Sequence, residues 1–577
     1  MHVLATAGHV DHGKSSLVRA LTGIDPDRWA EEKARGLTID LGFASLALPS
    51  GRQLSIVDVP GHVRFLKNML AGVGAVDACM FIVSATEGWK PQSEEHLRIL
   101  ELVGVRHGVV VITKADLADP DLLDLARLDV AEHTARSFLE GADVIAVDSL
   151  SGRGLDELRT ALDALVERTP PAADVDRPRL WIDRAFAAKG AGTVVTGTLA
   201  GGTIRVDDEL WLVQPDVRVR VRAIQTHHQA RDEVGPGNRV ALNLVGVSHD
   251  RVRRGDVLVR PSQFHVTPRV DATLEVLASL SHVVSRRGAY AAYIGSGEWP
   301  VRVRVLGADS IHPGASGLVR LHLATALPLV PGDRYVLRES GRDETVGGGE
   351  VLDVEPVLPA ARARPDRSVE RIVAERGWVD AAHLTRLTGQ PQTPTLGRWV
   401  VHPPALAATH ESLRERIASA GPLGLDLAAL DERARAALEL LDEFVIDGGR
   451  VRPAAQRDPL ADHPFLAALC ASPLSPPDPV GVDRGELQAL IRTGRVIESG
   501  GCYFAAEAVQ AAARVCIELL KDHPDGFTVS DFRVAAGNTR KHAVPLLSYL
   551  DSVGATRRRN DRRIAGPRLA TTAGEPQ

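Results

Sequence analysis

Along its 577 residues the chain changes its rhythm of apolar and polar positions twice. At first, apolar runs at 2–7, 54–58 and 109–112 end in polar or glycine-rich turns and alternate with helical stretches, the last closing near Glu167. Unbroken apolar runs between helices predict buried strands of an α/β sheet. Thr169-Pro170-Pro171 then reads as a linker. From Leu180 the period shortens to two, glycine-rich turns multiply, and no long helix is expected until about residue 366. That rhythm predicts β-barrels, and the length fits two. The remainder reads as short amphipathic helices, for example 412–418, 427–444 and 507–521, with a proline-rich boundary at 473–479. Small helical units with periodic turns predict tandem winged-helix modules. The expected domains are 1–172, 173–262, 263–357, 358–455 and 456–577.

Composition narrows the class. A hydrophobic content of 44% and a charged content of 25% suit a globular protein too long for one core. The net charge of −6 confines any nucleic-acid contact to local basic patches. Four scattered cysteines, Cys79, Cys470, Cys502 and Cys516, argue against a disulfide framework or a zinc site. No export signal opens the chain, and no apolar run reaches the ~20 residues of a membrane span. A soluble, cytoplasmic monomer without membrane contact is expected.

Chemistry enters directly after the first strand. Gly8-His9-Val10-Asp11-His12-Gly13-Lys14-Ser15 fits the phosphate-loop pattern G-x-x-x-x-G-K-[ST], and Ser16 continues into the helix. The glycines let backbone amides curl around phosphates, while Lys14 reaches the β- and γ-oxygens. Ser15 offers a hydroxyl to Mg²⁺. Asp58 ends the strand at 54–58, where the further Mg²⁺ ligand of such enzymes sits. Val59-Pro60-Gly61-His62 follows: Gly61 lets an amide approach a γ-phosphate, and His62 stands where a side chain can orient the attacking water. Upstream, Arg35-Gly36-Leu37-Thr38-Ile39-Asp40 offers Thr38 as a second Mg²⁺ hydroxyl. Lys14, Thr38 and His62 are the expected catalytic residues.

Base choice is read from the strand ending in Thr113-Lys114-Ala115-Asp116. Asp116 can accept from guanine N1–H and the 2-amino group, which adenine does not offer, so GTP is favoured. GHVDHGKS, RGLTID, DVPGH and TKAD, in this order, resemble the translational GTPase family that includes elongation factor Tu. The resemblance implies that His62 positions the hydrolytic water once a ribosome is engaged, and that Val10 and Leu37 form the apolar gate before then. Two positions depart from the family pattern. Thr113 replaces the usual Asn, and Asp148-Ser149 stands where a Ser-Ala loop normally covers guanine, with Ser149 the candidate contact.

The first barrel region carries Ile182-Asp183-Arg184-Ala185-Phe186, then a stretch from Lys189 to Thr198, and Gly237-Asn238-Arg239. This wording is similar to that of the selenocysteine-specific elongation factors, in which the second domain receives the aminoacyl end of tRNA. Such a factor must distinguish selenocysteine from serine. At neutral pH a selenol is largely an anion while serine is neutral, so fixed cations reward the former. Arg184 and Arg239 are expected to supply that positive field, and Asp183 to engage the α-amino group. The competing reading makes all three salt-bridge partners on a barrel rim.

The final unit reads as strand, helix, turn, helix and hairpin. Arg540 and Lys541 open the second helix, and five arginines flank Asn560-Asp561, including Arg557, Arg558 and Arg559. A basic helix start beside a basic hairpin suits RNA backbone better than a protein partner. The resemblance implies that this unit binds an mRNA hairpin, the selenocysteine insertion element. The fold class expected is therefore an α/β P-loop GTPase domain, two β-barrels and mainly helical tandem winged-helix modules. The implied function is GTP-dependent delivery of selenocysteinyl-tRNA to the ribosome at UGA codons, with GTP and Mg²⁺ as cofactors. A GTPase subunit of sulfate adenylyltransferase type is the alternative.

Overall fold

The computed structural model describes residues 2–26, 38–62, 65–73, 76–188, 190, 192–227, 229–421, 423–455 and 460–574. The chain divides into two compact units, 1–393 and 394–577. That division falls inside the segment 358–455, which was expected to form one group of modules.

The first unit opens with β1 (His2–Ala7), β2 (Gly42–Ala47), β3 (Gln53–Asp58), β4 (Ala78–Ser84), β5 (Gly108–Thr113) and β6 (Val144–Ala146). They form one sheet in the order β2-β3-β1-β4-β5-β6, parallel except for β2, which runs antiparallel to β3. β1, β4 and β5 are buried at every position because helices cover both faces. Leu4, Met80, Ile82 and Val109 face α1 (Lys14–Thr22) and α5 (Leu155–Arg168), meeting Leu17, Val18, Leu158 and Leu162. Val3, Ala5, Phe81 and Val110 face α2 (Leu66–Val73), α3 (Pro91–Leu102) and α4 (Pro120–Thr134), meeting Leu66, Leu97 and Val130. Alternate residues of one strand thus serve two cores, which explains why the runs are unbroken in sequence. The loops after β1, β3 and β5 emerge at one edge of the sheet, the edge where open α/β sheets bind ligands.

Two barrels follow. In the first, β7 (Arg179–Ala188), β8 (Gly192–Ala200), β9 (Glu209–Leu212), β10 (Val217–Thr226), β11 (Asn238–Val245) and β12 (Val257–Val259) close in the order β9-β12-β7-β8-β11-β10, with β10 pairing back to β9. In the second, β13 (Val266–Val276), β14 (Tyr290–Ile294), β15 (Gly297–Leu306), β16 (Ser316–Pro328), β17 (Arg334–Glu339) and β18 (Glu344–Asp353) close in the order β13-β16-β15-β14-β17-β18. Val336 of β17 joins the α/β core beneath α3, so this barrel and the α/β domain share buried surface.

The second unit is built of helices and short hairpins. The single helix expected at 427–444 is instead a 3₁₀ turn, Leu427–Ala429, a helix, Glu432–Leu438, and a strand, Phe444–Asp447. The cause is local: the Asp431 side chain accepts from the Ala434 amide and starts a new helix. Phe444-Val445-Ile446 then suits a strand better than a helix, and it pairs with Arg450–Pro453 across Gly448-Gly449, both at positive φ.

The last module starts with Phe527–Thr528, whose Thr528 forms a capping box with Asp531 at the head of helix Val529–Ala535. Helix Arg540–Ser552 follows. Strands Thr556–Arg559 and Arg562–Ala565 pair around Asn560, at φ 55°, as a two-residue hairpin demands.

Candidate nucleotide and aminoacyl sites

The phosphate loop lies at the end of β1. Gly8 has φ 129° and Gly13 φ 81°, both in the region that favours glycine, and a Cβ on Gly8 would overlap the Ile82 carbonyl. Gly13 also caps α1 with no side chain bonded to its first amides, which leaves a positive helix end beside the loop. Lys14 folds over this loop, and its Nζ donates to the carbonyls of Gly8 (3.0 Å) and His9 (2.7 Å). Burial pushes its ammonium down to about 8. Asp11 stands exposed at φ 62°, and Ser16 is exposed in the first turn of α1.

Three candidate metal ligands converge beside it. Ser15 Oγ lies 2.7 Å from Thr38 Oγ1 and donates to Asp58 Oδ2 at 2.6 Å. The Thr6 hydroxyl, which takes the Val59 amide at 3.0 Å, donates to Asp58 Oδ1 at 2.8 Å and fixes the carboxylate. Two hydroxyls and a carboxylate are hard oxygen donors, the set that suits Mg²⁺. Gly61 packs so closely on Lys14 and Val10 that a side chain there would overlap both. His62 is half-buried at the same turn, its ring 5.9 Å from that of Phe65. Arg35, Gly36 and Leu37 lie outside the described residues, and so does the gate expected between Leu37 and Val10.

The base motif is tied to the same loop. Thr113 is buried, and its hydroxyl donates to the His12 carbonyl at 2.6 Å. The replacement of Asn by Thr therefore keeps a bond to the phosphate loop. Lys114, at φ 56°, pairs with Glu87 at 2.9 Å, while Asp116 is exposed. Asp148 uses its carboxylate on its own turn, accepting from the Leu150 and Ser151 amides at 2.9 Å each, and Ser149 is half-buried beside it.

Sequence reasoning missed the supports beneath the loop. On α3, Gln92 accepts from the Val10 amide at 3.2 Å and His96 Nδ1 accepts from the Gly8 amide at 3.0 Å. Acceptance through Nδ1 places the ring proton on Nε2. Burial drives His96 down to about 3 and His12 down to about 4, so both rings are neutral. The i,i+4 spacing of Gln92 and His96 places both on one face of α3, but on a helix that also carries Ser93, Glu94, Glu95, Arg98 and Glu101 that spacing singles out neither residue.

The candidate aminoacyl residues come together at the first barrel. The β7–β8 register shifts between Ile182 and Arg184, so Asp183 is the extra residue of a bulge and is re-aimed. Arg239 of β11 donates to both Asp183 oxygens, Nη2 to Oδ1 at 3.0 Å, and Thr196 donates to Oδ1 at 2.6 Å. Side-chain exposures of 14% for Arg239 and 8% for Asp183 set this pair apart from a rim salt bridge. Arg184 donates instead to the Leu41 carbonyl of the α/β domain. Both guanidinium groups lie against one ring, that of Phe43, with Cζ 4.3 Å from its centroid for Arg184 and 3.3 Å for Arg239. Nearby, Arg254 binds Asp40 Oδ1 at 3.3 Å and Asn68 Oδ1 at 3.1 Å.

In the last module Arg540, Arg557, Arg558 and Arg559 are exposed. Lys541 is exposed yet already paired, with Nζ 2.8 Å from both oxygens of Asp478. Not all five hairpin arginines are surface charges: Arg563 is buried and paired with Asp551 at 2.9 Å.

Residues 1–171 match the elongation factor Tu GTP-binding domain, and residues 192–259 match elongation factor Tu domain 2. Residues 267–357 match the β-barrel domain of selenocysteine-specific elongation factors, and 518–565 an elongation factor SelB winged helix. A selenocysteine-specific elongation factor of Desulfomicrobium baculatum is 40% identical over 61% of this chain and 55% of its own length. One of Escherichia coli is 32% identical over 97% of this chain and 98% of its own. Elongation factor Tu 2 of Streptomyces avermitilis is 34% identical over 61% of this chain. Among solved structures, a bacterial selenocysteine-specific elongation factor superposes with a TM-score of 0.77 at 26% identity, covering 98% of this chain and 99% of that one. The metabolic alternative is not favoured by these matches. With a GTP-binding GTPase domain, two barrels and a winged helix in one order along 97% of its length, the chain belongs to the selenocysteine-specific elongation factors.

Proposed function

We propose that this factor holds selenocysteinyl-tRNA in its GTP form, delivers it to the ribosome at UGA, and is tethered there by the last winged helix on an mRNA hairpin. The observation that carries the reading is the juxtaposition of Asp183, Arg184 and Arg239 beside the strand that follows Thr38. Among the described residues the guanidinium groups of Arg184 and Arg239 share the Phe43 ring and one carboxylate, Asp183, pairs with Arg239, an excess of positive charge that favours an anionic side chain over a hydroxyl.

In the nucleotide site, Lys14 and the amides at the start of α1 receive the phosphates, and Asp116 receives guanine. Ser15, Thr38 and Asp58 would hold Mg²⁺, which when bound neutralises charge between the β- and γ-phosphates. His62 orients the attacking water. Gly61 and Thr38 report the γ-phosphate, and their release after hydrolysis frees the tRNA. Domains 1–172, 173–262 and 263–357 act as one body in this scheme, while Arg540 and Arg557, Arg558 and Arg559 grip RNA backbone. Binding to the message raises the local concentration of a rare factor at one codon.

The test is ester protection. With a non-hydrolysable GTP analogue, the protein should slow hydrolysis of selenocysteinyl-tRNA and not of seryl-tRNA carrying the same acceptor. Equal protection of both would leave a tRNA-carrying GTPase and remove the selenocysteine assignment.

A further inference from the structure

Asp148 stands where the family pattern has a serine, and the fold sets it beside Asp116. β5 and β6 run parallel with Ile112 opposite Ala146, and past their ends the Ala115 amide donates to the Val147 carbonyl at 3.4 Å. That bond ties the loop of Asp116 to the loop of Asp148, and the two carboxyl side chains meet. Asp148 is held there by its own turn. Its amide donates to the Arg153 carbonyl and its carbonyl accepts from the Gly152 amide, each at 3.0 Å. Its carboxylate takes the Leu150 and Ser151 amides at 2.9 Å each. Hydrogen bonds from Ser151 and Leu150 hold its carboxyl below the usual carboxylate range, so Asp148 is ionised at neutral pH although only 4% exposed. Lys114, two residues before Asp116, is paired with Glu87 instead. A serine at 148 could donate its hydroxyl to Asp116, whereas an ionised carboxylate offers acceptors only.

We infer that Asp148 is a second specificity-determining residue of the base site, a carboxylate that backs Asp116 and rejects purines with a carbonyl where guanine has its 2-amino group. The inference rests on the reading of Asp116 as the acceptor of guanine. Guanine turns N1–H and the 2-amino group toward these oxygens, and both are donors. Xanthine keeps N1–H but has a carbonyl at C2, whose oxygen would face two negative groups with no donor between them. Asparagine at 116 would supply that donor, and this would be enough to admit xanthine if Asp116 acted alone. With Asp148 in place, a carboxylate still opposes the carbonyl.

The experiment measures binding of GTP and of XTP to the full chain by calorimetry, with a melting profile for each variant. Asp148→Asn keeps an acceptor for a turn amide and removes the charge. It should melt near wild type and lose about tenfold of the preference for GTP over XTP. Asp116→Asn should lose GTP affinity without gaining XTP, whereas the double variant Asp116→Asn with Asp148→Asn should bind XTP better than GTP. Asp148→Ser replaces the asparagine variant if that one does not fold. If Asp148→Asn keeps the wild-type ratio, the carboxylate only caps its turn and the inference falls. If Asp116→Asn alone takes XTP as well as the double variant does, the reading of Asp116 stands and the role of Asp148 falls. If Asp116→Asn keeps the preference for GTP, Asp116 is not the acceptor of guanine and both fall together.

Discussion

Burial pushes the Lys14 ammonium down to about 8 from an ordinary 10.5, against the opposing pull of Asp58 and Asp11. A triphosphate beside Nζ favours the charged form, so bound Lys14 titrates higher than free Lys14. Below pH 8 the lysine is charged in both forms and pH has little effect. Above pH 8 the free form loses its proton and binding must restore it, so GTP affinity falls by up to tenfold per pH unit. Calorimetry at pH 7, 8 and 9 in buffers of different ionisation enthalpy should show proton uptake growing with pH. A flat affinity without uptake would contradict the buried position of Lys14.

His12 and His96 act in the other direction. Burial lowers their folded values to about 4 and about 3, below the ordinary 6.5. Between pH 6.5 and 4 the unfolded chain binds more protons, so stability is present near neutrality and is lost as pH falls, by up to about 1.4 kcal/mol per pH unit for each ring. His96→Asn keeps an acceptor for the Gly8 amide and should flatten that slope in urea titrations. Among single residues, Lys14, Ser15, Thr38 and Asp58 were legible because phosphate and metal chemistry restrict residue type at fixed spacing. The bond from Thr113 to the His12 carbonyl was not, since a hydroxyl announces no partner. Thr113→Val should weaken GTP binding about fivefold to tenfold by leaving that carbonyl unpaired.

At the scale of elements, α3 touches two neighbours through adjoining positions on its surface. Gln92 and His96 hold the phosphate loop, while Glu95 accepts from Thr345 at 2.9 Å and lies 3.7 Å from Arg338 of the second barrel. Arg338 is buried and keeps Asp343 at 2.8 Å, so Glu95→Ala should cost only about 1 kcal/mol of unfolding free energy. A double-mutant cycle with Thr345→Val should return a coupling of about 0.5–1.5 kcal/mol. Complete additivity would mean that the helix merely rests on the barrel. The barrels were legible from their period of two, but which strands close them depends on pairings far apart in sequence. The helix expected at 427–444 failed because apolar spacing alone cannot register a new cap at Asp431 or the strand preference of Phe444-Val445-Ile446.

At the scale of the molecule, a chain of net charge −6 binds RNA only where it concentrates cations, and the terminal hairpin is such a place. Exposed Arg557, Arg558 and Arg559 each contribute about 0.7–0.9 to the slope of log affinity against log salt if each meets a phosphate. Replacing all three by alanine should therefore lower that slope by about two to three for a hairpin RNA, measured by filter binding over a salt series. Lys541 separates the wing reading from general charge attraction. Its ammonium is already held by Asp478, so Lys541→Ala should change the slope by well under one, although it removes a surface cation from the same module. If the lysine variant instead matched the arginine variants charge for charge, the RNA would be sensing net charge rather than the hairpin. If the triple variant left the slope intact, the RNA contact would lie elsewhere in the second unit.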